Sequence, residues 1–408
     1  MFSKFKVTNY RNLPDKEISF DKLNIFVGPN NSGKTNFIEA FSFLKDCIDS
    51  GFSFACRERG YTEFANYHLS IPVQVSFKWI FSLRGFNPLT YELILDIYKE
   101  GEIPSIKYER LGYDKKLPGN YRKSRFDYVE AHGDVAEEGY FAFYSTKKQK
   151  MVREKFTLST KEIFLNQIDK LKLSKNLMQI LIPRSITVAS EIKDFVNKWF
   201  IYRNANIDIG RTKMACRRDE TAFYLNNNAS NLSQVFFNLQ NDEKYYYQTN
   251  NIIFRMRQIL PELVEIKSIL RGDYVELIFF FKGARRGLRL SEISEGTVRM
   301  LILALILFHP EPPVLVMIDE PELNLHPAWL RVLAEWIKDA SEKTQIIFST
   351  HSPDLLDRFT DMLDKVYVFE KNDIRKLNRK KLEKFLDEGW ELGDLYRVGE
   401  PAIGGWPW

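Results

Sequence analysis

Several stretches of this chain combine residue types at spacings suited to handling a polyphosphate. Gly28-Pro29-Asn30-Asn31-Ser32-Gly33-Lys34-Thr35 has the spacing Gly-x4-Gly-Lys-Thr. Gly28 and Gly33 permit main-chain angles that turn successive N–H groups inward around phosphates. Lys34 would reach the β and γ phosphates of a nucleoside triphosphate and the Thr35 hydroxyl would hold Mg2+. Residues 28–36, Asn36 included, are therefore the expected nucleotide cradle. Asp319 and Glu320 follow at once on the apolar run Val314-Leu315-Val316-Met317-Ile318. Adjacent carboxylates repel unless a cation or a water network uses them. Asp319 would bind the hydrated Mg2+, and Glu320 would orient and deprotonate an attacking water. His351, after the run Gln345-Ile346-Ile347-Phe348-Ser349-Thr350, would donate a hydrogen bond to a γ-phosphate. Ser294 and Gly296 open an apolar helix, where free N–H groups and the helix dipole favour an anion, although any capped helix starts similarly. Arg11, between Tyr10 and Asn12, either points to the nucleotide or is a solvated loop residue.

These groups need elements that deliver them to one place. Leu23, Ile25, Phe26 and Val27 leave only Asn24 polar before the glycine loop, as in a strand covered on both faces. Phe37, Phe41, Leu44 and Ile48 then recur at helical spacing, so a helix beginning near Thr35 aims its positive end at the phosphates. The runs before Asp319 and His351 read as parallel strands that end at the carboxyl edge of an open sheet, where ligands bind. Phe5 with Val7, and Ile18 with Phe20, predict short antiparallel strands. Strict alternation at Ile71, Val73, Val75, Phe77 and Trp79, and again at Tyr91, Leu93, Leu95 and Ile97, predicts half-buried antiparallel strands. Helical spacing returns from Thr160 to Phe200, with Ile168, Leu171 and Leu177 among its apolar positions, but no heptad persists, which excludes a long coiled coil. Strands are expected again at Val264 to Ile269 and Tyr274 to Phe281. The basic runs at Lys115-Lys116, Arg122-Lys123 with Arg125, and Lys147 to Lys150 read as solvated edges or a phosphate-contacting surface.

The 408 residues leave room for two or three domains, and 44% apolar residues suffice for sizeable cores. A formal charge of +5 permits an acidic partner such as nucleic acid without requiring one. Three cysteines without a CxxC pair suggest neither a zinc site nor a disulfide framework, and fit a reducing cytoplasm. The N-terminus lacks the apolar core of about 7 to 15 residues that a secretory leader needs. The longest apolar run, Met300 to Phe308, falls well short of the roughly 20 residues of a membrane helix. A soluble cytoplasmic protein with no membrane partner is expected.

Taken together, the loop, Ile293-Ser294-Glu295-Gly296-Thr297, the carboxylate strand, Asp319-Glu320-Pro321-Glu322-Leu323-Asn324-Leu325-His326-Pro327 and His351 resemble, in order, the ATP-binding-cassette ATPases. Within them the likeness is to heads of the RecF and SMC type, in the stand-alone, OLD-like branch of AAA-family ATPases. The resemblance implies an α/β fold: a P-loop ATPase head with mixed and antiparallel N-terminal strands, a parallel core sheet and an inserted α+β lobe. Residues 1–49 and 261–370 would form the head, 50–155 an antiparallel segment of head and insertion, 156–260 a mostly helical lobe and 371–408 a tail. It also implies ATP and Mg2+ as ligands, and a head-to-head homodimer or a higher oligomer sandwiching two ATPs. Each site would join Lys34, Thr35, Asp319, Glu320 and His351 of one chain to Ser294 and Gly296 of the other, the latter two where the family has Leu-Ser-Gly-Gly-Gln; Glu295 and Thr297 depart from that pattern. Leu323, Asn324 and His326 would lie at the dimer interface, and Gln74 and Gln167 are rival candidates for the family's Q-loop glutamine.

OLD-type nucleases continue past the histidine with a Toprim domain, for which the remaining residues leave no room, so any nuclease is expected on a separate polypeptide. The aromatic end, Trp390, Tyr396, Trp406 and Trp408, would dock a partner or pack onto the chain's own ATPase domain. The expected function is an ATP-gated dimeric switch in DNA maintenance or antiphage defence, with DNA as a candidate ligand and a separate effector. The alternative is a scaffold or sensor that holds a toxin or nuclease subunit and releases it on triggering. A transporter subunit is disfavoured by the long insertion.

Overall fold

The computed structural model describes residues 1–61, 63–99, 101–113, 126–132, 138–145, 150–157, 159, 161–167, 182–203, 206–371 and 373–404. The basic runs at 115–116, 122–125 and 147–149, the apolar positions Ile168, Leu171 and Leu177, and Trp406 and Trp408 lie outside the described residues. In chain order the strands are β1 (Phe2–Thr8), β2 (Lys16–Ser19), β3 (Leu23–Val27), β4 (Val73–Phe81), β5 (Leu89–Ile97), β6 (Ser105–Tyr113), β7 (Phe126–His132), β8 (Glu138–Ser145) and β9 (Lys150–Thr157). There follow β10 (Trp199–Arg203), β11 (Cys216–Arg217), β12 (Leu263–Arg271), β13 (Tyr274–Phe281), β14 (Leu288–Arg289), β15 (Leu315–Asp319), β16 (Gln345–Ser349), β17 (Val366–Glu370) and β18 (Asp373–Lys376). The chain divides into two units, each assembled from separate stretches.

The first unit comprises Met1–Asp21, Asn30–Trp199 and Phe369–Arg375. Its eight-stranded sheet has the order β2-β1-β4-β5-β6-β7-β8-β9, and each neighbouring pair is antiparallel. Period-2 alternation puts Val73, Val75, Phe77, Trp79 and Phe81 of β4 on the buried face. Helix Lys34–Ser50 supplies the opposing apolar stripe through Phe37, Phe41, Phe43 and Leu44. The contact is largely aromatic: Phe41 meets Phe2 edge-on at 4.7 Å, and Phe43 stacks on Phe77 at 4.8 Å. Each such pair adds about 0.5–1.5 kcal/mol beyond the area it buries. The helix that follows the phosphate loop is thereby anchored along its length.

The second unit comprises Lys22–Pro29, Phe200–Val368 and Lys376–Trp408. Its centre is a parallel sheet in which β15, β16, β3 and β17 are successive neighbours. β10 flanks β15 as an edge strand, whereas helical spacing had extended through Phe200; sheet pairing overrides the local pattern there. Strand β3 is buried throughout, and its one polar residue, Asn24, donates to the Ile346 carbonyl at 3.3 Å. Helix Glu295–Leu307 is apolar nearly all round and is buried from Thr297 onward. Its Leu301 and Leu305 join Ile25, Val316, Ile346 and Val366 in one continuous core. A smaller antiparallel sheet, β11-β13-β12 with β14 beside β13, belongs to this unit. No helix among the described residues is long and apolar enough to cross a membrane.

Within the first unit, Glu109 of β6 is a buried carboxylate that accepts from the Tyr91 hydroxyl and from the Phe164 N–H at 2.7 and 2.8 Å. Burial pushes its pKa up to about 7. Between the ordinary carboxylate value and about 7, the folded chain binds a proton that the unfolded chain has released, so stability falls as pH rises through that window. Urea midpoints at about pH 5 and about pH 8 should therefore show the protein weaker at the higher pH, by an amount that Glu109→Gln reduces. An equal pH difference in the variant would remove Glu109 as its source.

Candidate nucleotide-binding site

Parallel register aligns the chemistry. Asp319 pairs with Ser349, and Ser349 with Phe26, so the last residues of β15 and β16 stand level with the end of β3. The phosphate loop leaves the sheet from that same edge, through Gly28 and Pro29. The carboxylate pair, His351 and the start of the loop thus share one border, the one at which ligands approach parallel sheets.

The carboxylate strand ends in a tight constellation. The Ser349 hydroxyl donates to Asp319 Oδ1, and Glu320 N–H reaches Ser349 Oγ at 3.1 Å. Glu320 has φ of 52°, a left-handed conformation that costs a non-glycine residue about 1 kcal/mol or more. Its carboxylate lies 3.4 Å from His351 Nε2, with both side chains about one-third exposed, at 34% and 28%. A strained, water-accessible carboxylate beside an imidazole is an arrangement suited to accepting a proton from water.

Glu322 braces this group from behind. Its Oε1 accepts from the Thr350 hydroxyl at 2.6 Å, from His351 N–H at 2.9 Å and from Ser352 N–H at 3.2 Å. Burial raises its pKa, and the nearby Glu320 charge adds to the shift against those hydrogen bonds. Among the described residues its buried Oε2 has no hydrogen-bond partner. Residue order assigns neither Ser349 nor Glu322 a role of its own: a serine inside a strand carries no distinguishing pattern, and Glu322, although it stands in the stretch that resembles the family, has partners that lie beyond β16. Only the register of β15 against β16 brings them to the site.

The loop itself is described from Asn30 within the first unit. Asn31 and Gly33 have φ of 61° and 102°, and Gly28, at the end of β3, has 147°. A Cβ on Gly33 would stand 3.0 Å from Leu13 Cδ2 and 3.1 Å from Asn12 Oδ1, so a side chain there would meet crowding in addition to a backbone angle that favours glycine. Asn12 ties the loop down, donating to Asn31 O at 2.9 Å and accepting from Asn36 Nδ2 at 2.8 Å. Lys34 is only 4% exposed, with Nζ 3.3 Å from Ser32 Oγ. Thr35 is exposed at the first turn of the helix. Arg11, at φ 41°, directs its guanidinium to Asn36 Oδ1 at 2.8 Å and to Glu39. The loop residues fit a polyphosphate: the glycines allow the turn, the lysine is held at the loop, and Thr35 offers a hard oxygen of the kind Mg2+ takes, as Asp319 does in the second unit.

The remaining candidates have definite places. Ser294 caps helix Glu295–Leu307, accepting from Thr297 N–H at 3.3 Å. A Cβ on Gly296 would come within 3.2 Å of Asn324 O and 3.3 Å of the Trp329 ring, so the segment after Glu322 packs on the start of this helix. Glu295 pairs with Arg299 at 2.9 Å and accepts from Asn324 at 3.3 Å, which gives this departure from the family pattern a local structural role. His326 caps the short turn Pro327–Trp329. Leu323 is exposed. Gln167 spends its amide on Ser159 and Glu162, while Gln74 lies on the exposed face of β4. Tyr396, from the aromatic end, donates to the Gly28 carbonyl at 3.0 Å.

A family model described as an AAA ATPase domain matches residues 1–356 of this chain. The DNA replication and repair protein RecF of Bacteroides thetaiotaomicron is 44% identical over 52 residues, 12% of this chain and 14% of that protein. The endonuclease GajA of Bacillus cereus is 24% identical over 378 residues, 87% of this chain and 56% of that protein. The chain therefore spans little more than half the length of that relative and far less of the other. Among solved structures, an Smc head domain bound to the C-terminal domain of ScpA from Pyrococcus furiosus aligns with a TM-score of 0.47 and 13% identity, covering 95% of this chain and 98% of that one.

Removing the Glu322 carboxylate tests the bracing it provides. Glu322→Ala leaves a hydroxyl and two N–H groups without their acceptor, at about 1–3 kcal/mol for a buried group. Thermal unfolding should move down accordingly, while Glu322→Gln, which keeps Oε1, should recover most of the loss.

Proposed function

We propose, from the fact that this chain belongs to the AAA ATPase domain family, that it binds ATP with Mg2+, hydrolyses it, and uses the nucleotide to gate association of two copies. One observation carries the catalytic part: Glu320, held in a left-handed backbone, presents its carboxylate 3.4 Å from His351 Nε2 on the sheet edge where the phosphate-loop strand ends. In this reading the loop N–H groups and Lys34 receive the β and γ phosphates. Thr35 and Asp319 are the residues that would hold Mg2+, whose charge would neutralise that of the phosphates. Glu320 accepts a proton from a water whose oxygen attacks the γ phosphorus; the bond to the bridging oxygen breaks, and ADP and phosphate leave. His351 orients Glu320 and donates toward the γ-phosphate. Ser294, exposed at the cap of its helix, supplies a hydroxyl to the nucleotide held by the second copy. Arg11 steadies the loop through Asn36.

For the biological setting, RecF is named for DNA replication and repair and GajA as an endonuclease. We propose that ATP-driven pairing here serves DNA maintenance or defence against foreign DNA, through an effector.

Replacing Glu320 by Gln should lower phosphate release about 10²- to 10⁴-fold, the usual contribution of a general base, while ATP still binds and traps a dimer on size-exclusion chromatography. Lys34→Ala should abolish ATP binding in a nucleotide titration. A Glu320→Gln variant with wild-type turnover would overturn the assignment.

A further inference from the structure

The segment after β18 packs against its own unit, with Leu392, Leu395 and Ile403 fully buried in the core that also holds Val27 and Leu355. Its helix Leu392–Arg397 touches both borders of the nucleotide site. On one side the Tyr396 hydroxyl donates to the carbonyl of Gly28, the first residue of the phosphate loop, at 3.0 Å. On the other, the helix grips Pro353–Asp357, which begins two residues after His351. Gly393 N–H donates to Asp357 Oδ1 at 2.5 Å, and the Arg397 guanidinium pairs with Asp354 and, at 3.2 Å, with Asp357. Leu392 N–H donates to Thr360 Oγ1 at 3.0 Å. The seat is tight: a Cβ on Gly393 would lie 2.2 Å from Pro353 O and 2.3 Å from Asp357 Oδ1.

Gly28 is where this contact matters. Its φ of 147° lies where glycine is favoured, and the Pro29 that follows has no N–H of its own to stabilise the turn. Fixing the Gly28 carbonyl restrains the direction in which the following N–H groups point. Burial, with the nearby Glu322 charge, raises the Tyr396 phenol to about 12, so it remains a donor through the neutral range.

We propose that helix Leu392–Arg397 is a positioning element of the nucleotide site, with Tyr396 holding the phosphate loop through Gly28, so that undocking this helix lowers nucleotide affinity. The inference rests on the ATPase reading above and names a regulator of that same site. Any partner that draws the helix away from Pro353–Asp357 would thereby release nucleotide.

The test compares MgATP binding and turnover in the full chain. Tyr396→Phe removes one hydroxyl and should raise Kd and KM for ATP about 5- to 10-fold, the change expected for one hydrogen bond near 1 kcal/mol. The kcat at saturating ATP and the unfolding temperature of the nucleotide-free protein should move little, a split that a merely structural residue would not produce. Gly393→Ala, which forces the helix from its seat, should weaken ATP binding further. Tyr202→Phe removes a comparable bond, to the Leu225 carbonyl, and should leave KM unchanged. Wild-type affinity in Tyr396→Phe, alongside normal turnover by the parent chain, overturns the positioning role while sparing the ATPase assignment. Failure of the parent chain to bind MgATP overturns both.

Discussion

One buried carboxylate ties together the ends of two neighbouring strands. Glu322 follows β15 by three residues, yet the groups it receives, the Thr350 hydroxyl and the His351 and Ser352 N–H groups, all follow β16. An acid so enclosed is costly unless its lone pairs are used. Three donors converging on a single oxygen meet that requirement and leave the backbone on either side of His351 little freedom. The position of the imidazole relative to Glu320 is therefore decided by a residue that need not touch a ligand. Ser349 makes a similar link one layer inward, bridging Asp319 and the Glu320 N–H. Together these contacts convert two strand ends into one rigid edge, which lets Glu320 be kept in an unfavourable backbone conformation.

Much of this was legible in residue order. A five-residue apolar run ending in Asp319 and Glu320 describes a buried parallel strand, and the structure places β15 there. The alternation from Ile71 to Trp79 maps, with its ends shifted by two residues, onto the half-buried antiparallel strand Val73–Phe81, because period 2 admits one burial pattern only. The glycine loop, and the helix after it, were equally plain. The aromatic end split two ways in sequence, and the part that is described packs onto its own unit.

What escaped has a common physical cause. Glu322, Ser349 and Tyr396 act through partners that are distant in sequence, so that even where a motif or an aromatic cluster singles them out, their neighbours do not say what they touch. Strand β10 was hidden for a similar reason: Trp199 and Phe200 continue the helical spacing of the residues before them, and pairing with β15 decides otherwise. The substitution at Glu295 was readable only as a departure until Arg299 and Asn324 appeared beside it.

The order in which the chain is made bears on the central sheet. Strand β3 emerges early, but its hydrogen-bonded neighbour is far downstream: Asn24 and Ile346 are 322 residues apart. Consecutive hairpins from β4 to β9 can close as they leave the ribosome, since each needs only the strand just made. The glycine loop, by contrast, leaves the end of a strand whose sheet partners, β16 and β17, are made only late in translation. On the ATPase reading proposed above, a nascent chain would pass through synthesis blind to cellular ATP and acquire the capacity to respond to it late, when β16 and β17 pair on either side of β3.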